Sequence, residues 1–364
     1  MSTSIFTFTH KKFTPPSDQT YIPMQVGAAT NPDLGYLSDA TGDNISELNK
    51  FYGELTGMYW IWRNYTEADF IGMCHYRRYF VNEQYRLMTE ADVERILSTH
   101  DVILSNKIQC NKPSYFEDFA DAHDENILRI TGDVIRDIYP EYYETYNKVF
   151  SEGYCHFGNL MIMPHHLFNQ YAAWLFNIFS ELEPRLRFDF KDLYHQRIFG
   201  FISENLVNVW TRHNNLSVYE SNIGITSEKI ETKEFKLAMT QLFKMRQTEE
   251  ASKMFYEYTK LRPDIRLPQS DLSGEIPIIE HLIYICNEEA KDNLSNTLDF
   301  STDLTTLIKL YRFTKDAIIK KQTDEIMKNN ISWYMVCVII MNGGVPAKQV
   351  QEYLEFYGNL YNKD

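Results

Sequence analysis

The stretch that most constrains this chain of 364 residues runs from residue 43 to residue 80. Apolar side chains recur at three- and four-residue steps between Leu48 and Trp62, a spacing that predicts one amphipathic helix lying against a sheet. The apolar run from Phe70 to Cys74 has the length and character of a strand that is covered on both faces. A helix leading into a buried strand favours an α/β fold.

Polar residues follow this strand at once, in the order His75, Tyr76, Arg77 and Arg78. In open α/β sheets, ligands bind beyond the carboxyl ends of strands, so we expect these side chains to meet a substrate. Two adjacent guanidinium groups suit a pyrophosphate, because each offers a planar fork of donors to phosphate oxygens. The structural alternative is that one Arg covers the sheet edge while the other pairs with a surface carboxylate.

Two further clusters of polar residues are candidates for chemistry. The segment from Ile5 to Thr9 reads as a first strand, and its position makes Thr9, His10 and Lys11 candidates for holding a nucleobase and ribose. The second cluster opens a predicted helix over residues 196–210 and brings acid, base and cation within one or two turns. Its members are Asp189, Asp192, Tyr194, His195, Gln196, Arg197 and Glu204.

Carboxylates elsewhere offer weaker metal sites. Asp39 and Asp43 flank Gly42, where turn chemistry explains them as well as a divalent ion does, and we favour the turn. The acidic run over residues 115–124 includes His123 and would suit a nuclease or phosphatase, but a solvated helix face with a cap is the simpler interpretation.

These residues also carry a resemblance to a family. The string DNIS..N..Y.ELTG.YW.W.N, followed by D.IG..HYRRYF, is similar to the bacterial capsular and exopolysaccharide biosynthesis proteins grouped as uncharacterised domain family 4422. Further matches lie over residues 158–163 (GNLMIM), 171–176 (YAAWLF) and 194–206 (YHQRIFGFISENL). The resemblance covers roughly the first two thirds of the chain.

Members of that family are regarded as glycosyltransferases, some of them galactofuranosyltransferases. The resemblance therefore implies a GT-A-like mixed sheet flanked by helices, with Gly158 and Asn159 beside the donor sugar. From the second cluster of polar residues we expect Arg197 to contact the donor and catalysis to rest on Glu204, His195 and Asp192. Of the carboxylates in that cluster, only Glu204 falls within the family-like string. A structural ion pair between Glu204 and Arg197 on one helix is the alternative.

One part of a GT-A site is missing from the sequence. Such enzymes usually hold the diphosphate through a metal on an Asp-x-Asp motif, and the chain contains no strict Asp-x-Asp. The cluster over residues 75–78 stands where that motif is expected, so we infer that cationic side chains replace the metal. A Mn²⁺ or Mg²⁺ ion held by another pair of carboxylates is the alternative.

The composition of the chain limits the classes of partner and site that we expect. A formal charge of −14 argues against a nucleic-acid surface, because phosphate backbones are held by clustered Lys and Arg. The sequence has no leader segment and no apolar run of the ~20 residues that span a bilayer, so we expect a cytoplasmic protein. Five scattered cysteines without a Cys-x-x-Cys pair indicate neither a disulfide framework nor a zinc site.

Beyond about Ser227 strand-like runs become scarce and helical patterns follow one another. We therefore predict a GT-A-like domain over residues 1–227 and an all-helical C-terminal region over residues 228–364. Four lysines in that region suggest a peripheral contact with the inner face of the plasma membrane, although interleaved carboxylates weaken the idea. They are Lys315, Lys320, Lys321 and Lys328.

The function predicted from these features is an inverting hexosyltransferase. It would move galactose or galactofuranose from a donor, with UDP as the expected nucleotide, to a capsular, exopolysaccharide or O-antigen glycan, free or lipid-linked. The alternative is a non-catalytic carbohydrate-binding or scaffold protein of polysaccharide assembly. Against that alternative stands the concentration of ionisable residues at two sheet-end sites.

Overall fold

The computed structural model describes residues 1–121, 123–186, 193–267 and 269–362. The chain divides into two compact units, Met1–Thr226 and Ser227–Asp364. The first unit is a mixed sheet flanked by helices, and the described part of the second unit contains helices and no strands. The predicted fold class, an α/β sheet followed by a helical region, is confirmed.

The sheet of the first unit has nine strands, and a separate pair of strands lies beside it. In the part of this unit that the structure describes, the strands are β1 (Thr3–Thr9), β2 (Tyr21–Gln25), β3 (Leu37–Ser38), β4 (Phe70–His75), β5 (Arg78–Phe80), β6 (Val102–Ser105), β7 (Lys107–Gln109), β8 (Tyr154–His156), β9 (Met161–Pro164), β10 (Val218–Ser221) and β11 (Ile223–Ile225). The main path runs β10-β6-β9-β4-β1-β2-β3, with β5 joining β4 to β11, while β7 and β8 form the separate pair.

The direction of β9 decides which residues meet at the sheet edge. Strands β1 to β4 are parallel along the path β3-β2-β1-β4, whereas β9 is antiparallel to both β4 and β6. The residues that precede β9 therefore lie at the same edge as the residues that end β4.

Nine α-helices, counted over the described residues of the first unit, flank this sheet. They are α1 (Asn49–Tyr52), α2 (Leu55–Asn64), α3 (Glu90–Leu97), α4 (Tyr115–Ala120), α5 (Glu125–Ile138), α6 (Tyr143–Ser151), α7 (His165–Leu182), α8 (Leu193–Gln196) and α9 (Ile198–His213). The prediction of a single helix between Leu48 and Trp62 is wrong, because the chain forms two helices there, α1 and α2, with a break between them. Gly53 takes a left-handed φ of 56° there, and the new helix starts after Glu54.

Side chains alternate between the two faces of the sheet, as the strand period requires. On β1, Phe6 and Phe8 join a large apolar cluster with the helices, and Ile5 joins a smaller cluster on the opposite face. On β4, Met73 belongs to the large cluster and Cys74 to the smaller one. Strand β4 is thus buried on both faces, as its apolar run predicted.

The second unit has its own hydrophobic core, built from described residues of that unit. Its helices are α10 (Ile230–Lys244), α11 (Thr248–Leu261), α12 (Ile276–Lys291), α13 (Asn296–Phe300), α14 (Leu304–Ile319), α15 (Thr323–Lys328), α16 (Trp333–Asn342) and α17 (Val350–Tyr361). Throughout the described ranges, no helix is both long and apolar enough to cross a membrane.

Candidate functional site

The turn before β9 meets the end of β4. The antiparallel register pairs Met73 with Met161, so the chain before β9 brings Gly158 and Asn159 to the end of β4. At this point the Nε2 atom of His75 lies 2.6 Å from the carbonyl oxygen of Gly158. Because a carbonyl can only accept, the His75 Nε2–H donates and Nδ1 is left as an acceptor.

Two successive left-handed residues shape this turn. Gly158 has a φ of 86° and Asn159 a φ of 51°, an unusual conformation for a non-glycine residue buried to 3% exposure. The Asn159 Nδ2 group donates to Glu54 Oε1 at 2.6 Å and to the Gly200 carbonyl at 3.2 Å. Ser203 Oγ donates to Asn159 Oδ1 at 2.9 Å. These bonds fix the strained turn between α2 and α9.

A carboxylate stands on each side of the turn. Glu54 directly precedes α2 and accepts from Asn159, while Glu204 projects from α9 and accepts from the Gly158 N–H at 3.1 Å. Both carboxyl groups are partly buried. The turn therefore lies between two acidic groups contributed by different helices.

Arg78 lies against the same turn. A Cβ atom added to Gly158 would come 2.8 Å from the Nη1 atom of Arg78. The Arg78 guanidinium lies 5.6 Å from the ring centroid of Phe157. Burial lowers the pKa of Arg78, while the nearby carboxylates of Glu204 and Glu54 oppose that shift. An arginine remains charged under such a shift, so a partly desolvated cation faces the sheet edge.

His75 is held neutral. Burial lowers its pKa, the carboxylate of Glu54 opposes the shift, and the charge of Arg78 reinforces it. A neutral imidazole with Nε2 bonded to Gly158 can accept a proton or a hydrogen bond only at Nδ1.

A second group of predicted donor-binding residues surrounds the ring of Tyr76. The cationic groups of Lys11 and Arg77 each lie 5.3 Å from its centroid, and the His10 ring contacts it edge-on at 5.6 Å. The backbone N–H of Tyr76 donates to Phe8 O, so the ends of β1 and β4 are joined here. Thr9 is buried, and its hydroxyl donates to the carbonyl of Lys11, which makes it part of the turn itself.

The remaining predicted residues are placed differently. His195 contacts His123 with ring centroids 5.4 Å apart, and the Arg197 guanidinium lies 5.6 Å from the centroid of Phe201. Asp192, with Asp189, falls outside the described residues. The structure thus brings His75, Arg78, Gly158, Asn159 and Glu204 together, and it gives His195 and Arg197 contacts with other aromatic rings.

Carboxylates considered as metal ligands have structural partners. Asp39 is fully buried and accepts from the N–H groups of Gly27 and Ala28 and from the hydroxyls of Ser46 and Thr56. These partners lie 7 to 17 residues away along the chain, so Asp39 links several segments rather than forming the predicted local turn at Gly42. Asp124 caps α5 through Asn126 N, and Asp118 accepts from Asn111 N. Within residues 1–121, 123–186, 193–267 and 269–362, no group of three acidic, His or Cys residues is arranged to hold a metal.

Sequence reasoning missed Glu54 and Ser203. Glu54 falls inside the ELTG string of the family resemblance but has no local pattern that marks it as functional. The available signal was its place between Gly53, where a helix can end, and the start of the next helix. Ser203 stands next to Glu204 on α9, and its hydroxyl reaches Asn159.

This arrangement defines an α/β protein with a mixed sheet and a polar site at the carboxyl edge of its central strands. The chain belongs to the family described as Domain of unknown function (DUF4422), whose profile matches residues 4–215. The match confirms the predicted membership in domain family 4422, whereas the capsular or exopolysaccharide context and the galactofuranosyltransferase activity stay predictions.

Among solved structures, the chain is similar to the apo structure of WbbM, a bifunctional glycosyltransferase, with a TM-score of 0.58 and 25% identity. The similar region covers 63% of this chain and 46% of that chain, so the chain spans about half the length of WbbM. No curated protein matches it.

Proposed function

We propose that this protein is a glycosyltransferase that moves a hexosyl group from a nucleotide-sugar donor to a glycan acceptor. One observation carries the proposal: Arg78 lies against the strained Gly158–Asn159 turn, between the carboxylates of Glu54 and Glu204, at the carboxyl edge of the sheet. The likeness to a bifunctional glycosyltransferase supports the same class of reaction.

The donor would be held through its diphosphate. Arg78 supplies a partly desolvated guanidinium next to Gly158, and Arg77 adds a second cation beside Tyr76. Charge-assisted bonds from guanidinium to phosphate oxygens stabilise the diphosphate in the donor and, more strongly, as it leaves with the electron pair of the broken bond. The ring of Tyr76, with Lys11 and His10, suits the nucleobase and ribose.

The acceptor requires a base. In an inverting transfer the acceptor oxygen bonds to the anomeric carbon, the bond from that carbon to the diphosphate breaks, and the hydroxyl proton passes to a carboxylate. Glu204 is our choice for that base, as the sequence predicted, because the Gly158 N–H orients it toward the turn. We assign Glu54 a positioning role through Asn159.

The finer assignments extend this proposal. UDP is the nucleotide and galactose or galactofuranose the sugar, and the acceptor is a growing polysaccharide of a capsule, exopolysaccharide or O-antigen. Cations take the place of a metal at the diphosphate. The Nδ2 donors of Asn159 are taken by Glu54 and Gly200, so a hydroxyl of the donor sugar would donate to the second lone pair of Oδ1, beside the bond from Ser203.

A donor-hydrolysis screen tests the proposal. UDP- and GDP-linked hexoses are incubated with the full chain, with and without EDTA, and release of the nucleoside diphosphate is measured. We expect hydrolysis of at least one donor, undiminished by EDTA. Binding of a glycan without hydrolysis or transfer of any donor would favour the non-catalytic scaffold, and loss of activity in EDTA would restore a metal to the mechanism.

A further inference from the structure

The second unit contains a groove that the transfer reaction does not use. It lies between α11 and α12, has a volume of about 900 Å³, and falls at the upper end of the range for small-ligand sites. One face of each helix lines it: Glu249, Ser252 and Tyr256 on α11 repeat at three- and four-residue steps. Helix α12 contributes Glu280, Tyr284, Asn287, Glu288 and Lys291 with the same period.

Two tyrosines give the groove aromatic walls. Tyr256 is 69% exposed and Tyr284 is 55% exposed, although each belongs to a helix whose other face is buried in the core. Phe255, which also lines the groove, is buried, and the Arg266 guanidinium lies 5.0 Å from the centroid of its ring. Large exposed rings beside a polar cleft mark a surface for a partner with both apolar and polar faces.

The charges of the groove are largely neutralised within it. Arg266 forms a bidentate pair with Glu280 at 2.7 and 2.8 Å, and Lys291 pairs with Glu288. The lining holds four glutamates (Glu249, Glu250, Glu280, Glu288) against three cations (Arg246, Arg266, Lys291). A phosphorylated or acidic ligand would meet this excess of carboxylates, so the groove favours a neutral ligand that both donates and accepts hydrogen bonds.

The side-chain amide of Asn287 also lines the groove, and its hydrogen bonds to neighbouring residues are weak. Its Nδ2 group donates to the Thr248 carbonyl at 3.4 Å, near the limit for such a bond, and no donor among the described residues reaches its buried Oδ1 atom. A buried acceptor without a donor is costly, and a ligand hydroxyl that reached Oδ1 would supply the missing bond.

We propose that this groove is a second carbohydrate site, which binds a neutral glycan chain. The faces of pyranose rings pack on Tyr256 and Tyr284, and hydroxyl groups bond to the Asn287 amide and to the paired carboxylates and guanidinium groups along the walls. A glycan supplies apolar ring faces for the two tyrosines and hydroxyl donors for the Asn287 Oδ1 atom and the carboxylates of the walls. The site is separate from the residues assigned to sugar transfer, and its existence does not depend on that reaction.

A printed array of bacterial polysaccharide fragments, neutral and acidic, tests this with the full-length chain, and affinities for the bound fragments follow from calorimetry. We expect binding to neutral fragments, weakened about tenfold by Tyr256→Ala and by Tyr284→Ala through lost ring packing. Asn287→Ala should weaken binding roughly threefold to tenfold. Phe313→Ala is the matched control, since Phe313 is an exposed ring on α14 outside the groove, and it should change nothing.

The proposal fails if no neutral fragment binds, if acidic fragments alone bind, or if the three groove variants bind as tightly as Phe313→Ala. Selective capture of peptides from a peptide array, with no glycan bound, would likewise overturn it. Repeating the titration with Arg78→Ala separates the two sites: unchanged glycan affinity supports an independent groove, whereas equal loss in Arg78→Ala and the groove variants contradicts it.

Discussion

The Nη1 atom of Arg78 occupies the space into which any side chain at Gly158 would project. An added Cβ would come within 2.8 Å of it, a distance that real Cβ contacts essentially never show. Gly158 also has a φ of +86°, which other residues adopt at a cost. Position 158 therefore requires glycine for its backbone and for the place of the guanidinium.

Gly158→Ala should displace Arg78 and weaken binding of UDP about tenfold, because one charge-assisted contact is lost. Gly35→Ala is a matched control, since Gly35 has a φ of +73° and nothing within 4 Å of an added Cβ. Each variant should lose about 1–2 kcal/mol of stability to the left-handed backbone. Calorimetric titration and thermal unfolding check both effects, and equal UDP affinity in the two variants would contradict the packing argument.

Glu204→Gln should lower turnover by roughly 10²–10⁴ with donor binding intact, because the amide can still accept from Gly158 N–H but cannot take a proton. Glu54→Gln is the paired comparison: its Oε1 can still accept from Asn159, so we expect a smaller loss. Turnover per folded molecule and donor affinity are measured for both. A reversed order would move the base to Glu54, and lost thermal stability with normal turnover would make Glu204 a structural residue.

Local patterns predicted β1, β4 and a helix close to α9 because burial imposes its period on neighbouring residues. The run from Phe70 to Cys74 is a strand buried on both faces for that reason. The break at Gly53 was not predicted, because apolar spacing continues across it and only the left-handed φ of that residue reveals the turn.

The candidate site was predicted only in part. His75 and Arg78 follow a recognisable strand, so their place at the sheet edge could be inferred. Their contacts with Gly158 depend on the antiparallel pairing of β9 with β4, a choice between residues about 90 positions apart that short-range periodicity does not encode. Glu54 reaches the site for the same nonlocal reason.

The buried His156 should make the free energy of unfolding depend on pH. Burial lowers its pKa to about 4, and its Nδ1–H donates to the Ser105 carbonyl at 2.6 Å. The unfolded chain binds a proton near pH 6.5, so stability is complete above that pH and falls as the pH drops toward 4, by about 3 kcal/mol from this group. Denaturant unfolding between pH 7.5 and 4.5 gives the free energy of unfolding as a function of pH, and this free energy should fall less steeply with falling pH in His156→Gln than in wild type. An equal fall in the two proteins would exclude His156 as the source of the pH dependence.

Truncation after Thr226 should leave a soluble fragment that binds UDP. The apolar clusters on the two faces of the sheet consist of residues from the first unit, and the helical unit has a separate core. Circular dichroism and calorimetric titration of the fragment check this. An insoluble fragment would mean that the C-terminal helices complete the core of the sheet unit.

The central claim is that Arg78, with Arg77 beside it, binds the diphosphate of a sugar-nucleotide donor. Calorimetric titration of UDP, GDP and the parent nucleosides into wild type, Arg77→Ala and Arg78→Ala tests it most directly. Arg95→Ala is the control, because Arg95 is an exposed arginine on α3 paired with Asp92. We predict that Arg78→Ala loses about 1.5–3 kcal/mol of diphosphate binding while nucleoside affinity is unchanged. Wild-type diphosphate affinity and turnover in folded Arg77→Ala and Arg78→Ala would contradict the account.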